Sequence, residues 1–258
     1  MVNTMTRLAA SRRDSGLNVL RAFVILSPVI VAGDSITHRQ VTKSTMPLPS
    51  CDRIGPMKRL IRRLRRLLHG TPVIVVSGLP RSGTSMLMQM LAAGGLALLT
   101  DAGRAADEDN PQGYFELERV RHLPHDDGHW LRDARGKAVK VVSTLLRELP
   151  DSNNYKVILM RRDLCEVLAS QARMLTRRGE VHDIDQARMR RLFEDDLWRA
   201  TYLLEHAARF DCLEIDYAQV IEDPKGQAGR IADFVAAGLD VDNMAGVVDS
   251  ALYRCRTG

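Results

Sequence analysis

The chain is poor in aromatic residues: five Phe, five Tyr and two Trp in 258 residues. That argues against a surface on which successive bases stack, as single-stranded nucleic-acid binders require. Cysteine is also scarce. Cys51, Cys165, Cys212 and Cys255 contain no C-x-x-C pair. They read as reduced thiols of a reducing compartment, not as a disulfide framework or a zinc site. Membrane-spanning length is missing too, because the apolar run Ala22–Gly33 is short and interrupted by Pro28. No internal repeat and no long low-complexity segment is present. Finally, positive charge is lacking where a nucleic-acid binder would need it. Of the formal +5, residues 1–56 contribute +4, and Lys58, Arg59, Arg62, Arg63, Arg65 and Arg66 contribute six more. From Gly70 onward the balance is therefore −5. A nucleic-acid-binding module shows a basic face on its folded part, and this distribution offers none in bulk.

What the chain does have is 45% hydrophobic residues, enough at this length for one domain with a substantial core. Residues 1–56 read as a disordered or non-native N-terminal extension, with Met57 as a natural alternative start. A signal peptide is the competing reading, suggested by basic residues, the short apolar run and Val31-Ala-Gly33. Residues 57–69 read as a basic amphipathic helix with Leu60, Ile61, Leu64, Leu67 and Leu68 on one stripe. Two uses of it stay open: weak contact with an anionic membrane surface through 57–68, or packing on the domain with a solvated basic face. Residues 70–258 form the domain proper.

In that domain strand and helix signals alternate. Strands are predicted at 73–76, 138–142, 156–160 and 212–215. Helices are predicted at 85–93, 163–177, 185–209, 225–237 and 243–252. Short apolar strands alternating with helices predict an α/β fold, a three-layer parallel sheet with helices on both faces.

Three stretches carry chemistry. The first is Val73-Ile-Val-Val-Ser-Gly-Leu-Pro-Arg-Ser-Gly-Thr-Ser85, which leads into an unbroken helical run. Strand, tight loop and helix make an anion cradle, since loop N–H groups and the helix's positive end converge on one point. Gly78 and Gly83 have the G-x-x-x-x-G spacing of a P-loop, but Thr84 stands where a nucleotide hydrolase needs Lys. The loop's cation is Arg81. The second stretch is Tyr155-Lys-Val-Ile-Leu-Met160 followed by Arg161-Arg-Asp-Leu-Cys-Glu-Val-Leu-Ala-Ser170. Asp163 and Glu166 have capping-box spacing, which places Arg162 at a strand end and Ser170 about two turns into a helix. The third is Cys212-Leu-Glu-Ile-Asp-Tyr-Ala-Gln-Val-Ile-Glu-Asp-Pro224.

Pro80-Arg-Ser-Gly-Thr-Ser85 resembles the 5′-phosphosulfate loop of the sulfotransferases that use 3′-phosphoadenosine-5′-phosphosulfate (PAPS). Arg162 with Ser170 resembles their 3′-phosphate site, and Tyr217 falls on their aromatic position near the adenine. The resemblance covers roughly residues 72–256. It implies a P-loop NTPase-like fold and transfer of a sulfuryl group from PAPS to a hydroxyl or amine. It also implies donor contacts from Gly78, Arg81, Ser82, Gly83, Thr84, Ser85, Arg162, Ser170 and Tyr217. Arg81 and Lys140 are the implied catalytic cations. Because they are side chains, no metal is required. A cytoplasmic location follows from where PAPS is found, with export or membrane association as the alternative if residues 1–33 are a signal.

The chain departs from one branch of the family. Small-molecule sulfotransferases of the cytosol carry Lys-Thr-His after this strand, with His as base, whereas here the run is Lys140-Val-Val142. His122-Leu-Pro124 copies part of that motif but precedes the strand. A carboxylate base is then expected in the segment 101–116, with Glu116 first, then Glu108 and Asp101. Tyr114 and Phe115 would supply the apolar wall that a general base needs. His125-Asp-Asp-Gly-His129 reads as a solvated loop, because Gly128 breaks any helix that would align the ligands. Two rivals remain: a P-loop kinase-like phosphotransferase, and a non-catalytic nucleotide-binding relative that lost its base. The acceptor class, whether small molecule, glycan, lipid or peptide, has no signature.

Overall fold

The structure, a computed structural model, describes residues 56–101, 113–177, 179 and 185–249. The expectations for residues 1–55, for Glu108 and for residues 250–258 lie outside the described residues.

Among the described residues four parallel strands form one sheet: β1 (Val73–Gly78), β2 (Ala138–Lys140), β3 (Tyr155–Arg161) and β4 (Phe210–Asp216), in the order β2-β1-β3-β4. Each is an apolar run because each has both faces covered. Val73 and Val75 enter one core cluster with Val157, Leu159, Ala200 and Leu204. Ile74 and Val76 enter a second, on the opposite face, with Ile158, Met160, Leu87 and Leu91. The first of these layers joins Ala200 and Leu204 of the long helix α5 (Gln186–His206) to the 117–149 segment, through Leu117, Trp130, Leu131, Leu145 and Leu146. The second holds α2 (Thr84–Ala93), α7 (Pro224–Val235) and α8 (Val241–Gly246). The three-layer α/β expectation therefore holds.

The topology locates the crevice. After β1 the chain crosses to β2 on one side, and after β3 it crosses to β4 on the other. Beyond the C-terminal ends of β1 and β3 is where such sheets bind ligands. Gly78 pairs with Met160 at that edge, and Arg161 pairs with Asp216.

Several boundaries differ from expectation. β2 ends at Lys140, although Val141 N–H still donates to Val76 O at 2.9 Å; the chain then turns at Val142 into a 3-10 helix, Ser143–Glu148. After β4 the chain forms a short helix, α6 (Tyr217–Glu222), because the Asp216 carboxylate caps the N–H groups of Ala218 and Gln219. The last helix begins earlier and stops at Gly246, with Asp240 as its cap. α3 is a single turn, Glu118–Arg121, and Glu116 precedes it.

The N-terminal helix α1 (Pro56–His69) reverses the expected orientation of a solvated basic face. Arg62 is buried; it donates to Phe210 O and pairs with Asp211 at 2.5 Å. Arg65 reaches Asp151 O at 2.6 Å and Asn154 Oδ1 at 3.2 Å, and Arg66 pairs with Asp211 at 3.2 Å. The edge of the sheet offers carbonyls and a carboxylate, which suit guanidinium forks and not leucines. Ile61, Leu64, Leu67 and Leu68 consequently face out, with Leu67 83% and Leu68 78% exposed. Among the described residues no helix is long and apolar enough to cross a membrane.

Candidate active site

The anion loop runs from Gly78 to Thr84. Its glycines are sterically demanded. A Cβ on Gly78 (φ 153°) would sit 2.6 Å from Ser82 Oγ and 2.8 Å from Met160 O. A Cβ on Gly83 (φ 101°) would enter the ring of Tyr217, 2.8 Å from its Cε2. Ser82 is turned inward: its hydroxyl and its N–H both donate to Leu79 O, at 2.7 and 3.2 Å, so its side chain shapes the loop. Arg81 also adopts a left-handed backbone, φ 68°, a conformation few non-glycine residues hold.

The loop feeds α2, whose N-cap, Gly83, has no side chain to satisfy the helix's first N–H groups. The first backbone bond of the helix runs from Leu87 N–H to Gly83 O. An uncapped helix start behind a glycine-rich loop is suited to an anion, and its dipole adds to the attraction. Thr84 and Ser85 are the first two residues of this helix.

The second motif closes on the first. Asp163 caps α4 (Leu164–Arg177), accepting from Cys165 N–H at 2.8 Å and Glu166 N–H at 3.2 Å. The Glu166 carboxylate turns to Arg162 instead of completing a capping box, with Nε to Oε2 at 2.9 Å and both side chains buried. Arg162 also donates to Arg81 O at 3.2 Å, and its guanidinium lies 4.4 Å over the Tyr217 ring. Arg81 Nε donates to Ser170 Oγ at 3.1 Å. Arg81, Arg162, Ser170, Tyr217 and Gly83 thus form one linked group, although they come from three separated stretches. Burial pushes the Tyr217 hydroxyl's pKa up, against the lowering effect of Arg162, so the phenol stays neutral. Glu166 is the residue that sequence reasoning assigned only to capping. Its spacing of four from Arg162 on a helix was the available signal.

On the other side of β1, Lys140 ends β2. Its Nζ donates to Ser85 Oγ at 3.2 Å and Tyr114 O at 2.9 Å. The strand register explains this, since Lys140 stands opposite Val76, two residues before the loop. Two cations therefore flank the start of α2, Arg81 from the loop and Lys140 from the neighbouring strand. Glu116, two residues beyond Tyr114, pairs with Arg121 at 2.8 Å and is partly exposed; its carbonyl accepts from Asp101 N–H at 2.9 Å. The Asp101 carboxylate accepts the Glu118 N–H at 2.5 Å. In the 125–129 loop, Asp126 and Asp127 accept from Gly128 and His129 N–H groups at 2.9 Å each. Among the described residues no group of three or more His, Cys, Asp or Glu could hold a metal ion.

A model of the sulfotransferase family matches residues 112–242, from the Lys140 wall through the Arg162 and Tyr217 motifs. The chain belongs to the sulfotransferase family. The match begins beyond the anion loop, so in this family member the fold, not the match, joins Gly78–Ser85 to the rest. Two solved structures are similar to it: a sulfotransferase domain from the curacin biosynthetic pathway and one from the olefin synthase of Synechococcus PCC 7002. They share 14% and 15% identity, cover 70% and 71% of this chain and 78% and 79% of their own, and have TM-scores of 0.42. No curated protein matches the chain.

Proposed function

We propose that the protein transfers a sulfuryl group from PAPS to a hydroxyl or amine and releases adenosine 3′,5′-bisphosphate. The observation that carries this reading is the link between the two anion sites, Arg162 to Arg81 O and Arg81 to Ser170. One site alone would suit many phosphate esters. Two cationic sites joined through a stacked tyrosine suit a nucleotide charged at both its 3′ and 5′ ends.

The residues present fit such a donor. Gly78 and Gly83 let the loop close onto Ser82, Met160 O and the Tyr217 ring where a Cβ would clash, and the α2 start lacks a side-chain cap. When bound, PAPS supplies an activated sulfuryl group on a phosphate leaving group. The chain supplies position and charge. The α2 N–H groups and Arg81 hold the 5′ end, and Arg162 and Ser170 hold the 3′-phosphate. Tyr217 sets their spacing by packing on Gly83. Lys140, anchored on Ser85, neutralises the negative charge that grows on the leaving oxygen; such preorganised stabilisation is the largest share of catalysis in transfer reactions of this type. No step in this scheme calls for a metal.

The test is calorimetric titration of the full chain with adenosine 3′,5′-bisphosphate, adenosine 5′-monophosphate and ATP. A charge-assisted contact from Arg162 contributes about 1.5–3 kcal/mol. The bisphosphate should therefore bind about tenfold to a hundredfold more tightly than the monophosphate. Equal affinities would remove the 3′-phosphate assignment, and tighter binding of ATP would favour phosphoryl transfer.

A further inference from the structure

The chain lacks the histidine that follows the β2 lysine in one branch of the family, and a carboxylate occupies the neighbouring space. Ser143, one residue past Val142, is buried and donates its hydroxyl hydrogen to Asp196 Oδ2. Asp196 belongs to α5, far along the chain. Its neighbours Phe193 and Leu197 share a buried apolar cluster with Leu79 of the anion loop and Val167 of α4. One turn further on, Thr201 Oγ1 accepts from Arg161 at the end of β3, at 3.4 Å. The same stretch of α5 therefore spans the C-terminal ends of β1, β2 and β3. Ser143 follows Lys140 by three residues, at most about 10 Å of chain.

Resting on the sulfotransferase reading, we infer that Asp196, oriented by Ser143, is the carboxylate that takes the proton from the sulfuryl acceptor. Glu116, by contrast, is held by Arg121 at 2.8 Å. Asp196 is half-buried, and the bond from Ser143 to Oδ2 leaves Oδ1 as a proton acceptor. Burial pushes its pKa up to about 6, a value that suits a base working near neutral pH. The Ser143 hydrogen bond, Arg199 on α5 and Arg147 on the 3-10 helix oppose that rise, and Asp195 on α5 adds to it.

The step balances without any further reagent. A lone pair of the acceptor oxygen or nitrogen forms the new bond to sulfur. The bond from sulfur to the 5′-phosphate oxygen breaks, and its electron pair stays on that oxygen beside Arg81 and Lys140. The acceptor's proton passes to Asp196 and then to water.

The experiment follows the 13C-carboxyl resonance of Asp196 in the full chain, identified by its loss in Asp196→Asn, with and without adenosine 3′,5′-bisphosphate. Its titration midpoint should lie near 6 and move to higher pH on nucleotide binding, because added negative charge nearby opposes ionisation. A midpoint unmoved at nucleotide saturation would place Asp196 away from the reacting groups and overturn the inference. Should Asp196→Asn not fold, Ser143→Ala supplies the assignment, since losing that hydrogen bond raises the same midpoint. With PAPS and 2-naphthol as the probe acceptor, Asp196→Asn should lose about a hundredfold to ten-thousandfold in turnover with little change in the KM for PAPS. The acidic limb of the rate profile should disappear with it. Unchanged turnover in Asp196→Asn, or loss in Glu116→Gln instead, would overturn the assignment. Failure of the unmodified protein to bind the bisphosphate would sink the donor reading first; binding with an unmoved Asp196 sinks only this one.

Discussion

The guanidinium of Arg162 stacks 4.4 Å above the ring of Tyr217 while its Nε holds the buried Glu166 at 2.9 Å. One side chain thus anchors α4, fixes the tyrosine on Gly83 and faces the proposed 3′-phosphate. Its stability and binding roles can be separated by mutation.

Arg162→Met should destabilise the fold by about 3–5 kcal/mol, because it removes the guanidinium that pairs with the buried Glu166 carboxylate. The double change Arg162→Met with Glu166→Gln should recover much of that loss. Neither variant should distinguish adenosine 3′,5′-bisphosphate from the monophosphate. Urea denaturation and calorimetry on the same samples check both halves. Recovered discrimination in the double variant would move the 3′-phosphate site elsewhere.

Gly83→Ala should displace Tyr217, since the new methyl group enters its ring at a φ of 101°. A cost of about 1–3 kcal/mol is expected from backbone strain alone. Nucleotide affinity should fall as well, because the loop and the Arg162 stack share that contact. A thermal melt that stays at the wild-type temperature would show that the loop can shift without consequence.

Lys140→Ala should lower turnover by about a hundredfold or more, the usual loss for one preorganised charge-stabilising group, and alter PAPS affinity much less. The contrast with Arg81→Ala, which should weaken donor binding too, separates transition-state from ground-state contacts. Equal losses in affinity for the two variants would place Lys140 on the bound donor's ground state.

Lys156 offers a pH test of the core. It is buried on β3, donates to Val235 O at 3.0 Å, and desolvation lowers its pKa. Its folded pKa lies below its unfolded one, so between the two values the unfolded chain binds more protons. Stability should therefore rise with pH through that window and level off above the ordinary lysine value. Denaturant melts across the alkaline range check it, and Lys156→Met should flatten the slope. A slope unchanged in that variant would assign the dependence to other groups.

Local sequence was sufficient for the main strands and helices and for the residues of the proposed phosphate sites. The apolar runs at Val73 and Tyr155, the glycine pair at Gly78 and Gly83, and the Asp163 cap are read within a few residues of themselves, and short-range sterics and hydrogen bonding determine them. Tertiary structure decided everything that depends on pairing between distant stretches. It gave Glu166 to Arg162, although the spacing also suited a capping box, because a buried guanidinium needs a counter-charge more than a helix start needs a second cap. It turned Arg62, Arg65 and Arg66 of α1 onto Asp211 and Asp151 O and left Leu64, Leu67 and Leu68 outside, since carbonyls and a carboxylate are better partners for guanidinium than for methyl groups. It also set Asp196 beside Ser143, 53 residues away in the chain. No periodicity or motif announces that contact: it arises only when α5 lies across the strand ends, and the carboxylate's pKa follows from the burial this packing imposes.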